Sequence, residues 1–462
     1  MTVQDVIVET IEYRIVAVHP VSHTVFAIDA DGCHRLPRVR IPQCTRPAEQ
    51  LQKAIRATWK LNVFVVDFLP VQNGFPYWAV VELLVPCEDP EFSTVRVEEL
   101  SDSELPEEQR IRLMRLLSVC LQKLPSQLGW IDDAVAWVEA ATQRKLASKA
   151  EIEQLNAGGG FSLIRFHMED GQYCWLKATG ASNLHEYSIT QYLSQLPVRY
   201  PDPSGYVPAV LAAKPEWNAW IMSGEARSIA ARLDSAPHAG VTLGKAVQSL
   251  ARLQIATVGR GVGLLQAGAF DQRPEILNTH AEEMFDYLEE AMALQTSTKA
   301  PRLDSRSLRL MCATLKQICE RVDALAIPAS VVHGDLNPGN IVEATNCQFI
   351  DWSEPYLGVP LASLQHLLLL NHVEDKPERE RLNLALTDRY REEWSAVCAP
   401  DKLDEGFRYM PFLAAASSLY GRGSWLTSSA RDELPRQSYA RTVAREMNRA
   451  LAAVTSREAL CH

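Results

Sequence analysis

Val331-Val332-His333-Gly334-Asp335-Leu336-Asn337-Pro338-Gly339-Asn340-Ile341-Val342, with Cys347-Gln348-Phe349-Ile350-Asp351-Trp352-Ser353 close behind it, decides how this chain is read. Two strand-like apolar runs flank a polar loop, and Asp351 lies at the end of the next apolar run. Asp335 and Asn340 are separated by four residues. A plain turn would use the same residue types, since Asp, Asn, Pro and Gly are what turns favour. It would not explain the second Asp after the second apolar run.

The spacing is that of the Asp and Asn in a kinase catalytic loop. Moving a γ-phosphoryl group leaves little covalent work to a protein: a carboxylate must orient the attacking hydroxyl, and oxygen ligands must hold Mg²⁺ against the phosphates. Asp335 suits the first task, Asn340 and Asp351 the second, because Mg²⁺ prefers a few carboxylate or amide oxygens plus water and phosphate. The string HGDLNPGN followed by IDW resembles the aminoglycoside phosphotransferase and choline kinase-like family, whose pattern is HGDxxxxN, a strand, then IDW or IDF. The resemblance implies an α+β, bilobal protein-kinase-like fold with a small β-rich lobe and a large helical lobe. It further implies ATP and Mg²⁺ as cofactors, Asp335 as catalytic base, Asn340 and Asp351 as metal ligands, and His333 as a support of the loop.

The small lobe is expected over residues 151–225. Gly158, Gly159 and Gly160 precede the strand Ser162–Phe166; a glycine cluster lets backbone N–H groups approach phosphate oxygens, though a loop without a ligand would read the same. Lys177 closes an apolar strand, and nine residues later Glu186 lies in a helix that Asn183 could cap. The resemblance assigns Lys177 and Glu186 to the lysine–glutamate pair that contacts the α- and β-phosphates. The alternative is an ordinary strand-end lysine with a snorkelling stem. Met222 to Gly224 is, by position in the family, the hinge to which adenine bonds.

Residues 226–462 read as the large lobe. A helical stripe runs through Leu243, Val247, Leu250 and Leu253, and further helices are expected at 276–295, 304–325, 361–371, 376–396, 404–420 and 436–455. Val359 and Ser363 stand where the family usually carries acids, which puts the usual bracing of that segment in doubt. Glu374, Asp375, Glu378, Asp388, Glu392, Glu393, Asp404 and Glu405 could face a cationic substrate or form solvated helix faces.

Ahead of the kinase-like part, residues 1–100 alternate strand-like runs with a helix from Pro47 to Leu61, an order that resembles a Nudix domain. The glutamate-rich core of that family is missing: Ile55-Arg56-Ala57-Thr58-Trp59-Lys60 stands in its place. Without carboxylates there is no metal cage, so binding, docking or assembly is expected rather than hydrolysis. Two helices over 101–150 would link the modules, with Trp130 and Trp137 as packing residues.

Composition agrees with a multidomain globular chain. At 462 residues it exceeds what one core usually serves. Ten cysteines show no Cys-x-x-Cys pair, and no apolar run reaches membrane-spanning length. The start lacks the regions of a signal peptide, so a cytoplasmic protein is expected. A net charge of −11 argues against nonspecific nucleic-acid binding. The function expected is ATP-dependent transfer of the γ-phosphate to a hydroxyl of a small molecule. A nucleotide-binding pseudokinase acting through the N-terminal domain, transfer onto a protein, and transfer of AMP remain open alternatives.

Overall fold

The computed structural model describes residues 9–19, 22–30, 32–43, 46–69, 77–85, 92–117, 124–125, 127–158, 160–197, 205–224, 228–233, 236–371, 373–423, 426 and 429–458. The chain is α+β and divides into two compact units, residues 1–187 with 209–225, and residues 188–208 with 226–462.

The first unit begins with β1 (Thr10–Val18), β2 (Val25–Ala30), β3 (Cys33–Arg35) and β4 (Arg38–Pro42), then α1 (Pro47–Trp59), β5 (Val63–Leu69), β6 (Tyr77–Leu83) and β7 (Ser93–Val95). Their sheet runs β3-β2-β1-β6-β5, with β4 also on β1 and β7 on β2; β1 and β6 are parallel, Tyr13 opposite Tyr77. The β-branched runs that signal strands also bury both faces of the sheet. Because successive side chains alternate, Ile15, Val65 and Val81 enter one core while Val16, Phe64 and Val80 enter another. The first of these cores is closed by α1, which starts with Pro47 in its first turn, offers Ala48, Leu51 and Ile55, and stops at left-handed Lys60.

The second core does not end with this sheet. It takes Leu113 and Leu117 of α2 (Glu107–Leu117), Trp130, Ile131, Ala134, Val135 and Val138 of α3 (Trp130–Thr142), and the inner face of a further sheet. That sheet orders β11 (Val210–Lys214), β12 (Ala219–Ser223), β10 (Tyr173–Thr179), β9 (Phe161–His167) and β8 (Glu153–Asn156). Ile164, Phe166, Leu176 and Ile221 are its contributions. Trp130 is fully buried against Trp217, and Trp137 also packs on Trp217. Residues 118–123, where α2 was expected to continue, lie outside the described residues.

Strand β8 is clasped to the N-terminal sheet by two glutamines. The buried Gln154 side chain accepts from Val65 N at 2.8 Å and donates to Val65 O at 2.7 Å. In return Gln52 accepts from Gln154 N at 2.8 Å and donates to Val63 O at 2.7 Å. A side-chain amide thus completes backbone pairing that would otherwise be unsatisfied inside the protein. Helix α4 (His185–Ser194) follows β10, and Asn183, expected as its cap, ends a 3-10 turn over Ala181–Asn183 two residues ahead of it.

In the second unit, α5 (Ala236–Thr257), α6 (Gly261–Gln266), α7 (Pro274–Thr279), α8 (Ala281–Ala293) and α9 (Ser305–Ala324) pack with α10 (Leu361–Leu369), α11 (Lys376–Trp394), α12 (Pro400–Tyr420) and α13 (Leu434–Glu458) around one apolar core. The single helix expected over 276–295 is two, broken at His280. Set among the helices are β13 (Phe270–Asp271), β14 (Ser330–Val332) and β17 (Tyr356–Gly358) in one small sheet, and the hairpin of β15 (Ile341–Glu343) with β16 (Cys347–Phe349). Among the described residues no helix is long and apolar enough to cross a membrane.

The clasp makes the first prediction. Gln154→Ala leaves Val65 N and O without partners in a dry interior and should lower stability by about 2–4 kcal/mol in a urea melt. An unchanged midpoint would show that the clasp contributes nothing.

Candidate active site

The polar loop leaves β14 at Val332, and its first requirement is steric. Gly334 sits at φ +80°, and a Cβ there would lie 1.9 Å from the Glu354 carbonyl oxygen. Glycine alone allows the two backbones to approach this closely. Beside it His333 is buried, its N–H donating to Ser363 Oγ at 3.1 Å and its Nε2 paired with the Ile350 carbonyl at 2.9 Å, with the ring 4.5 Å from that of Trp352. Nε2 must carry the proton to serve a carbonyl, which makes Nδ1 the bare nitrogen. Burial lowers the imidazole pKa, against the opposing pull of the Ile350 bond, Asp351 and Asp335. His333 is therefore a neutral strut.

The segment with Val359 and Ser363 in place of acids is braced differently. The buried Gln254 of α5 donates to Val331 O at 3.1 Å, Pro360 O at 2.9 Å and Ser363 Oγ at 3.3 Å, and accepts from Tyr390 OH at 2.6 Å. Ser363 thus links the start of α10 to His333.

Asp335 is half exposed at the bend of the loop. Its Oδ1 accepts from Asn337 Nδ2 and its Oδ2 from Asn340 Nδ2, both at 3.2 Å; Asn340 Nδ2 also reaches the Asp335 carbonyl at 2.9 Å. Asn337 caps the short turn Pro338–Asn340 through Gly339 N at 2.8 Å. The Asn340 nitrogen is thus turned to Asp335. In the β15–β16 hairpin Ile341 lies opposite Phe349, and Ile350 N donates to Asn340 O at 3.0 Å. That register brings Asp351 next to Asn340. Asp351 adopts φ +64°, a left-handed conformation uncommon outside glycine and concentrated at functional sites. The structure therefore brings Asp335, Asn340 and Asp351 together.

Next to Asp335 opens a cavity of about 590 Å³, lined among others by Glu354, His366, Arg422, Arg436 and Tyr439. The surrounding protein pushes the Glu354 pKa up, as do the charges of Asp335 and Asp351, while Arg422 opposes them. His366 Nε2 lies 3.8 Å from Asp335 Oδ1; burial lowers its pKa and Asp335 raises it. None of these lining residues was singled out from the sequence, where only the adjacency of Glu354 to Ser353 hinted at one of them. Of the acidic residues expected on helix faces, Glu393 bonds Arg252, and Asp388 and Asp404 bond Arg391. Glu374, Asp375 and Glu378 line another cavity, about 790 Å³, with Asn337, Pro338 and Gly339.

In the first unit, Lys177 lies within β10, opposite Leu163 and Trp220. Its Nζ bonds the Glu186 carboxylate, and both side chains are buried. Phe161 and Trp220 present their rings to Nζ at 4.9 and 5.9 Å. A buried ion pair is weak as a stabiliser, because desolvation offsets the attraction. At the glycine turn, Gly158 has φ +107° and its carbonyl accepts from Ser162 Oγ at 3.0 Å; the Gly160 carbonyl accepts from Gly180 N at 2.8 Å. Gly159 lies outside the described residues. Met222 pairs with Trp175 and Val210, and Gly224, at φ +144°, gives its carbonyl to Trp175 Nε1 at 3.2 Å.

A strand lysine bonded to a helix glutamate, with a loop of two aspartates and an asparagine, defines a phosphotransferase. Residues 176–399 match the model of the phosphotransferase enzyme family (APH). The α+β class of the fold is the one expected. Among solved structures, an ethanolamine kinase of Plasmodium vivax is 14% identical, with 72% of this chain and 93% of that one covered and a TM-score of 0.44. A macrolide 2'-phosphotransferase from Brachybacterium faecium is 15% identical, covering 68% and 97%, TM-score 0.40. A choline/ethanolamine kinase family protein from Mesorhizobium loti is 14% identical, covering 70% and 98%, TM-score 0.38. No curated protein sequence matches the chain.

The lowered pKa of His333 fixes a pH dependence. The unfolded chain takes up this proton near the ordinary imidazole value of 6.5 while the folded chain resists it, so stability is present above that pH and lost as pH falls below it toward the folded value. Denaturation followed between pH 7 and 5 should show this loss, and His333→Gln should flatten the slope. An equal slope in the variant would move the effect to another group.

Proposed function

We propose that the chain is an ATP-dependent kinase that moves the γ-phosphate of the nucleotide to a hydroxyl of a small molecule. The observation that carries this reading is the loop in which Asp335 is oriented by two asparagine amides beside Asn340 and Asp351. Asp335 accepts the acceptor's hydroxyl proton as the oxygen attacks phosphorus; its fixed carboxylate needs no rearrangement to do so. Asn340 Oδ1 and the Asp351 carboxylate are hard oxygen donors on adjoining strand ends that would hold Mg²⁺, whose charge would offset that of the phosphates. Lys177, held by Glu186, binds the α- and β-phosphates; Gly158 and Gly160 of the glycine turn offer backbone N–H groups, and the main chain at Met222–Gly224 takes the base.

The acceptor occupies the cavity beside Asp335, where Glu354, Arg422 and Arg436 present both signs of charge. The N-terminal sheet and α1 form a Nudix-like module that binds rather than hydrolyses: the one carboxylate on α1, Glu49, is bonded to Lys53.

ATP consumption with Mg²⁺, screened across hydroxyl-bearing metabolites and antibiotics, tests the reading. With the acceptor so found, Asp335→Asn should lose turnover by about 10²–10⁴-fold while keeping nucleotide affinity. Full turnover in that variant removes Asp335 from the role of base, and wild-type protein that neither binds nor consumes ATP ends the kinase reading.

A further inference from the structure

The N-terminal module reaches the glycine turn itself. Strand β5 carries a bulge between Val65 and Asp67, where pairing with β6 slips by one residue. The carboxylate of Asp67 is pinned by Phe68 N at 2.8 Å and lies against Gly158, where a Cβ would meet Asp67 Oδ1 at 3.0 Å. The approach is held from both sides. Gln52 and Gln154 lock β8 to β5 two residues from Asp67, and Ala157, just before the turn, packs on the core beneath α1.

We propose that Asp67 is a positioning residue of the nucleotide site: it seats the glycine turn and, by placing a fixed negative charge beside it, sets the affinity of that turn for phosphate. This rests on the reading that the turn of Gly158 and Gly160 binds phosphates. Burial raises the Asp67 pKa, with the Phe68 amide opposing, so its charge stands in a poorly screened setting. The carboxylate repels a polyanion that the turn's N–H groups attract. The N-terminal sheet thereby restrains nucleotide affinity, and whatever moves β5 changes it.

The test compares wild type, Asp67→Asn and Asp67→Ser by calorimetric titration with MgATP and with adenosine, which lacks phosphate. Asparagine keeps the shape and the acceptor for Phe68 N; serine is a second way to remove the charge should asparagine fail to fold. Both variants should bind MgATP roughly three- to tenfold tighter and adenosine as wild type does, with the MgATP gain shrinking as salt rises. Equal MgATP affinity in all three proteins overturns the proposal, as does an equal gain for adenosine. Wild type that binds adenosine no more weakly than MgATP overturns instead the assignment of phosphates to the turn, and the proposal with it.

Discussion

One buried amide holds the segments around the Asp335 loop in place. Gln254 reaches from α5 to the carbonyl ahead of the loop, to that of Pro360 just before α10 and to the hydroxyl of Ser363, while Tyr390 of α11 supplies a donor in return. Four segments far apart in sequence meet at a single side chain. Because buried polar groups are costly when unpaired, each partner restricts where the others can be. The loop that carries Asp335 inherits its position from this network, and His333 passes the constraint to Ile350 and Asp351.

Charge completes the picture. Asp335 and Asp351 lie together with Glu354 close by, and His333, the imidazole among them, is kept neutral by burial. In the other unit the balance is opposite: Lys177 is a cation kept ready by a buried partner and two aromatic faces.

What the sequence disclosed and what it hid follow from range. Asp335, Asn340 and Asp351 were legible because a short loop and a hairpin fix their spacing, and Lys177 with Glu186 because strand and helix are neighbours in the chain. The strands and α1 of the N-terminal sheet were legible from β-branched runs and from Pro47. Gln254, Tyr390 and Glu354 were not, since each takes its meaning from a contact made only when distant segments pack. Asp67 was hidden for the same reason: nothing in Val63–Leu69 announces a bulge that turns a carboxylate toward a glycine ninety-one residues on.

The core that runs from Val16 and Phe64 through Trp130 to Phe166 and Leu176 has a practical corollary. The family match begins at residue 176, yet the boundary of that match is not a boundary of folding. A protein trimmed to its recognisable half would present Leu176, Ala178 and Ile221 to water, each large aliphatic costing about 1.5–3 kcal/mol in lost burial. Aggregation of such a fragment would report on missing neighbours rather than on a defective enzyme.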